Sequence, residues 1–280
     1  EDHGGDPLDA FDVIVPSLPG YGFSGPPIRE DGSTGPIGPR AIAGLWHRLV
    51  HEKLNYRRPY GVQGGDWGAV VSSWAAFDHP VKDEKDEWKS GVLGLHLNMM
   101  GLRPGIDLRK AELSADEKTW LAKVQGERDE KTAYQRIQAT RPQTLGVALT
   151  DSPVGLAAWI VEKFQAWSDC DHVEESFSKD QLLTNVTAYW VTATATSSTR
   201  IYWEMRQTGA SALPVNRVTV PTGIANFAGE ITRTPRSWVE SAYDLVRWVD
   251  IPRGGHFAAM EVPDLFVPEV RKFFRDLRAG

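Results

Sequence analysis

Three short apolar runs stand out in the first hundred residues: FDVIVPSL (11–18), RPYGVQ (58–63) and GVLGLHLNM (91–99). Each is bounded by proline, glycine or charge and is rich in β-branched or aromatic side chains, the pattern of a buried strand. Between the first two lies PPIREDGSTGPIGPR (26–40), whose glycines and prolines predict a surface loop. It leads into AIAGLWHRLVHEKL (41–54), in which Ile42, Leu45, Trp46, Leu49 and Val50 recur at helical spacing. AVVSSWAAF (69–77) predicts a second helix, stopped at Asp78-His79-Pro80. Strand, helix, strand, helix, strand in this order predicts an α/β fold with a mostly parallel sheet and helices on its faces. The charged stretch VKDEKDEWKS (81–90) reads as a solvated surface insertion, confined to about residues 82–90.

From about Gly105 to Leu213 the periodicity becomes helical. LSADEKTWLAKV (113–124) carries a capping box, Ser114 followed three residues later by Glu117. DSPVGLAAWIVEKFQAW (151–167) offers Asp151 or Ser152 as cap, with Pro153 in the first turn and Leu156, Ile160, Phe164 and Trp167 along one face. Beyond this block VTVPTGIANF (218–227) and LVRWVDIP (245–252) read as strands, and VPDLFVPEVRKFFRDL (262–277) as a closing helix. The organisation expected is a core over 1–104, a helical cap over 105–213 and a return to the core over 214–280.

Composition narrows the function classes. A net charge of −6 without any Lys/Arg cluster argues against nucleic acid as a partner and favours a small neutral ligand. One cysteine, Cys170, excludes an internal disulfide framework and a cysteine-rich metal site. No apolar run approaches the roughly 18 residues of a bilayer span, and the acidic start EDHGGDP is unlike a signal peptide, so a soluble cytoplasmic location is expected.

Two motifs are false leads. PGYGFSG (19–25) holds Gly20, Gly22 and Gly25 in a GxGxxG pattern, but Pro26-Pro27 and a loop follow where a dinucleotide site needs a helix N-terminus. His3-Gly4-Gly5 looks like an oxyanion loop, yet too few residues separate it from Phe11 to hold the helix that should follow, so His3 reads as a surface residue. A third motif is more informative. In GVQGGDWGAVV (61–71) a predicted strand turns into a predicted helix, with Gly64 and Gly68 flanking Asp66. Small residues at that spacing permit a sharp bend, and the helix N-terminus favours an ionised carboxylate. Taken alone Asp66 would be an N-cap. Glu230 and His256, however, each stand just past a later strand, and parallel strands would bring all three to one edge of the sheet. Nucleophile, acid and histidine in that chain order match the α/β-hydrolases, which usually place serine at the turn.

An aspartate there changes the chemistry. Serine attacking saturated carbon would leave an inert ether, whereas a carboxylate leaves an ester that activated water can cleave. Saturated electrophiles, epoxides or alkyl halides, are therefore expected, with His256 as general base and Glu230 orienting it.

The stretches VIVPSLPGYGFSGPP, GVQGGDWGA, GLHLNM, DSPVGLAAWIVEKFQAW, VPTGIANFAGEI and RGGHFAAMEVPDL, spread over nearly the whole chain, resemble the microsomal-type epoxide hydrolases, including their juvenile-hormone, fungal and bacterial relatives. The resemblance implies an α/β-hydrolase fold with an inserted helical cap, and a cofactor-independent conversion of an apolar epoxide and water to a vicinal diol. It also implies Asp66 as nucleophile, His256 as base, Glu230 as acid, and the Trp67 backbone amide as an oxyanion donor. Tyr134 and Tyr202 would bind the epoxide oxygen and protonate it; without the resemblance each tyrosine would read as a core or rim residue. The family's HGxP loop, which supplies a second oxyanion donor, and the strands around it lie upstream of the match, and so does the anchor of its membrane-bound members. The chain, which does not begin with Met, is accordingly expected to be a truncated product or one piece of a longer polypeptide. Loss of one oxyanion donor costs on the order of 100- to 1000-fold in rate. Two alternatives stay open: a haloalkane dehalogenase, in which the Trp67 indole would grip a halide, and a catalytically silent hydrolase-fold protein.

Overall fold

The structure is a computed structural model describing residues 4–28, 31–33, 35, 37–81, 91–100, 112–209 and 212–279. His3 and the charged stretch 82–90 lie outside the described residues. The elements run α1 (Pro39–Arg48), β1 (Tyr60–Gly64), α2 (Asp66–Asp78), β2 (Val92–Leu97), α3 (Ala115–Thr140), α4 (Pro142–Asp151), α5 (Pro153–Trp167), α6 (Val173–Ser176), α7 (Lys179–Val191), α8 (Ala195–Ser198) and α9 (Arg200–Thr208). They continue with β3 (Val218–Gly229), α10 (Arg236–Ala242), β4 (Tyr243–Gly255), α11 (Ala258–Glu261) and α12 (Pro263–Ala279). The described strands form one parallel sheet in the order β1-β2-β3-β4.

Alternation along β2 sorts the two faces. Leu95 and Leu97 are fully buried in a cluster with Ala69, Val70, Val71 and Trp74 of α2, while His96, on the opposite face, lies against Phe273 of α12. Helix α2 is therefore the central helix, and it is apolar nearly all round because the chain surrounds it. Two of its buried polar side chains are satisfied: the Ser73 hydroxyl donates to the Ala69 carbonyl, and the Trp74 indole donates to the Ala212 carbonyl.

One expected strand does not form. Residues 11–18 make no ladder with any described strand, and Val13 and Val15 are 79% and 85% exposed. An apolar run becomes a strand only where a neighbouring backbone completes its hydrogen bonds, and none among the described residues does so. Phe11 instead packs edge-on against Phe274, under the Arg278 guanidinium.

Helices α3 to α9 fill the interval between β2 and β3. The Ser114 capping box at α3 is present in both directions. Ser152, not Asp151, caps α5, its hydroxyl accepting the Gly155 N–H at 3.0 Å. Leu149, Leu156, Val186 and Ala195 form one apolar cluster here and Phe164, Phe177 and Leu182 another; the second packs against Phe257, beside His256. The PGYGFSG segment is a loop, with Gly20 accepting from the Ser197 hydroxyl and Gly22 donating to Thr194 Oγ1. Among the described residues no single helix is long and apolar enough to cross a membrane. Replacing Ser152 by Ala removes the α5 cap and is expected to lower unfolding free energy by about 1 kcal/mol in urea titrations; an unchanged midpoint would show the cap to be idle.

Candidate active site

Three side chains meet at the carboxyl ends of the strands, and strand register brings them there. β3 runs well past β2, and its last pairing with β4 is Gly229 opposite Gly255. The next residue on each strand is therefore adjacent to the other, and these are Glu230 and His256. His256 Nδ1 lies 3.0 Å from Glu230 Oε1 and 3.3 Å from Oε2. On its other side Nε2 lies 3.0 Å from Asp66 Oδ2. The Glu230 and His256 side chains are almost wholly buried, at 1% and 4% exposure, while Asp66 keeps 40% of its surface open to an incoming molecule.

Asp66 owes its position to a strained turn. Its φ is +46°, a region that L-residues other than glycine rarely occupy. The turn also brings its two arms so close that a Cβ on Gly64 would lie 2.2 Å from the Gly68 carbonyl carbon. Gly65, not Asp66, is the N-cap of α2 and Asp66 is its first residue, so the capping explanation of this acid does not hold. Asp66 Oδ1 accepts the Trp67 backbone N–H at 2.5 Å. One carboxylate oxygen is thus held by a helix N-terminal amide and the other faces the imidazole.

Standing between two carboxylates, both ring nitrogens of His256 have acceptors, so both must donate and the ring carries a proton. Burial alone would lower its pKa; the hydrogen bonds to Asp66 and Glu230, with the charge of both carboxylates, outweigh burial and push it up to about 10.

An arc of aromatic rings surrounds the triad. Trp167 stands edge-on to His256 at 5.1 Å, then Tyr134 lies 5.3 Å from Trp167, Tyr202 lies 5.8 Å from Tyr134, and Trp67 lies 5.1 Å from Tyr202. Both sequence-predicted tyrosines therefore meet near Asp66, although they come from helices α3 and α9. Burial and the nearby Asp66 charge raise Tyr134 to about 12 and Tyr202 well above the ordinary phenol range, so both phenols are protonated donors at neutral pH. The Tyr134 oxygen also accepts from Gln135 Nε2 at 3.0 Å. A second tyrosine pair was not foreseen: Tyr21 of the glycine loop and Tyr189 of α7 stand 6.5 Å apart, and both feel the Asp66 charge. Tyr21 sits inside a motif read only as a turn, and nothing local marks Tyr189. Trp167 carried only the signature of a core position. Among the described residues no group of three or more His, Cys, Asp and Glu is placed to hold a metal ion.

Substituting Asp66 by Asn removes a charge and an acceptor from the imidazolium, and an NMR titration of His256 should then fall by about one unit or more. Because the value is raised in the folded chain, the stability it contributes is complete below about 6.5 and lost as pH climbs through about 10. In Asp66→Asn this alkaline loss should shrink, and an unaltered titration would contradict the coupling.

With the geometry in hand, the chain can be set beside known proteins. The model of the alpha/beta hydrolase fold family matches residues 4–263. A Stigmatella aurantiaca protein provisionally named an epoxide hydrolase is 42% identical over 99% of this chain and 59% of its own length. Epoxide hydrolase 1 of Sus scrofa is 36% identical over 98% of this chain and 62% of its own. The chain thus spans about three-fifths of these relatives. Among solved structures, the juvenile hormone epoxide hydrolase of the silkworm Bombyx mori superposes with a TM-score of 0.77 at 30% identity, covering 94% of this chain and 63% of that one. The Aspergillus niger epoxide hydrolase gives 0.73 at 29%, covering 93% and 62%. The glycine-flanked aspartate turn, the strand-end acid and histidine, and the family match together mean that the chain belongs to the α/β-hydrolase fold family, in which it is similar to proteins named epoxide hydrolases.

Proposed function

We propose that this chain carries the machinery of an epoxide hydrolase, converting an apolar epoxide and water to a vicinal diol through an ester on Asp66. The observation that carries the reading is the 3.0 Å contact between His256 and an aspartate at the strained turn, where ester-cleaving relatives would need a serine. The names of the relatives support the same substrate class.

Asp66 Oδ2, the oxygen not held by the Trp67 amide, attacks an epoxide carbon; the carbon–oxygen bond of the ring breaks, and the alkoxide takes a proton from Tyr134 or Tyr202. Oδ1 becomes the ester carbonyl, already at the Trp67 N–H, which stabilises the oxyanion when water adds. Alkylation has a second effect: it removes the Asp66 charge that helped hold the proton on His256. With that charge gone the imidazolium gives up its extra proton, in net to the phenolate left by ring opening, and the neutral ring takes a proton from water, with Glu230 keeping its orientation. Collapse of the tetrahedral adduct leaves the original Oδ2 in the diol and the oxygen of water in Asp66. No step requires a cofactor. In this reading the helices of 105–213 act as a lid that carries the two tyrosines over a core formed by 1–104 and 214–280.

One observation favours a rival. The Trp67 indole N–H is buried beside the nucleophile and faces the Tyr202 hydroxyl without a well-formed hydrogen bond to it, as a halide-binding donor would be. The paired tyrosine donors answer better to an epoxide oxygen, which must be protonated, than to a halide, which need not be.

Turnover of an aryl epoxide in H2-18O should place label in the Asp66 peptide, with the first equivalent of diol unlabelled; label entering only the diol would eliminate the ester. Replacing Tyr134 and Tyr202 together by Phe should cut diol formation on the order of 100-fold or more, each single change less. Halide release from haloalkanes, with no diol from epoxides, would instead select the rival.

A further inference from the structure

Beyond the triad, the backbone that carries His256 is held in an unusual way. Four consecutive amides, 254 to 257, donate to groups outside their own strand. Gly254 N–H donates to Asp169 Oδ2 at 2.8 Å and Gly255 N–H to Glu261 Oε2 at 2.9 Å. His256 N–H donates to the Trp167 carbonyl at 2.9 Å, and Phe257 N–H to Glu261 Oε1 at 2.8 Å. Glu261 Oε2 also accepts the Asp169 N–H at 2.8 Å. One carboxylate therefore grips the residue before His256, the residue after it, and the segment just past the end of α5. Gly255 permits this approach, since a Cβ there would lie 2.6 Å from the Trp167 carbonyl oxygen.

The sequence supplies Glu261 through the four-residue helix α11, which turns the chain back so that a side chain five positions after His256 reaches it. Capping of α11 explains only the bond to Phe257. It accounts for neither the Gly255 bond, which closes the histidine loop on itself, nor the Asp169 bond, which ties that loop to the helical block. The block answers from its own side: Trp167 stands edge-on to the His256 ring, and Phe164 stacks on Phe257 at 4.2 Å.

We propose that Glu261, assisted by Asp169, is a positioning residue for the hydrolytic half of the reaction, fixing the His256 ring against Asp66 and Glu230 and locking it to the end of α5. Glu261 touches none of the reacting atoms; it acts through the loop. The assignment rests on the epoxide hydrolase reading for its kinetic consequence but not for its geometry. Ester formation depends on Asp66 and the tyrosines, whereas ester hydrolysis depends on the angle at which His256 presents Nε2 to water. Loosening the loop should therefore slow the second step selectively, since misplacement by about an ångström can cost on the order of 100-fold.

The test uses Glu261→Gln, which keeps the shape and one acceptor oxygen, with Glu261→Ala and Asp169→Ala beside it. Two readouts are taken: the NMR titration of His256 in the resting chain, and pre-steady-state kinetics with an aryl epoxide followed by intact mass. In Glu261→Gln the His256 titration should move down toward the ordinary histidine range, turnover should fall roughly 10- to 100-fold, and the Asp66 ester should accumulate at nearly the parent rate. Glu261→Ala should exaggerate these effects, and Asp169→Ala should reproduce them more weakly. A parent-like titration and turnover in Glu261→Gln would overturn the assignment. So would equal slowing of both steps with an unchanged titration, the mark of a merely structural role. If the parent chain forms no ester or diol while the variants still shift His256, the positioning role stands and the epoxide reading is what fails.

Discussion

The site turns on one electrostatic arrangement: a buried imidazole held between two carboxylates that come from different parts of the chain. Such an arrangement is costly to assemble, because burial works against the imidazolium, and it persists only where both partners are close and geometrically fixed. Asp66 and Glu230 meet that condition at 3.0 Å on either side of His256. The same arrangement makes the histidine responsive to the state of Asp66. A free carboxylate keeps the ring protonated, and under the proposed mechanism an ester in its place would release it, coupling base strength to the intermediate that needs a base.

Much of the remaining architecture serves to hold that geometry. The parallel sheet brings the strand ends together, and the Gly229–Gly255 register makes Glu230 and His256 neighbours. The strained φ of Asp66 goes with a carboxylate held between the first amide of α2 and His256. The helical block adds the aromatic arc and, through Trp167 and the segment that follows, is bonded directly to the histidine loop. The helical block and the histidine loop are thus one packed unit at this point.

Legibility in the sequence followed the range of the interactions involved. Local signals were reliable: the Ser114 capping box, the Ser152 cap, the β1-to-α2 turn and the ends of β3 and β4 can all be read from residues within a few positions of one another. The triad was legible because parallel topology converts chain order into spatial adjacency. Residues 11–18 misled because an apolar run records the capacity to pair, while the partner backbone is a property of the rest of the chain. Tyr21, Tyr189 and Trp167 were missed for a related reason: an aromatic residue in a loop or on an apolar helix face looks the same whether it lines a core or a site. The proximity of Tyr134 and Tyr202 is suggested only by family resemblance, since α3 and α9 bring them together from 68 positions apart. Glu261 reads locally as the end of a short helix, and its three backbone partners emerge only from the fold.

The central claim is that Asp66 forms an ester which His256 is needed to cleave. Mixing the His256→Gln variant with a stoichiometric aryl epoxide and recording the intact mass tests it most directly. A single adduct equal to one epoxide, mapped to Asp66 and persisting without diol release, is the result expected; diol appearing at the parent rate with no adduct would contradict it.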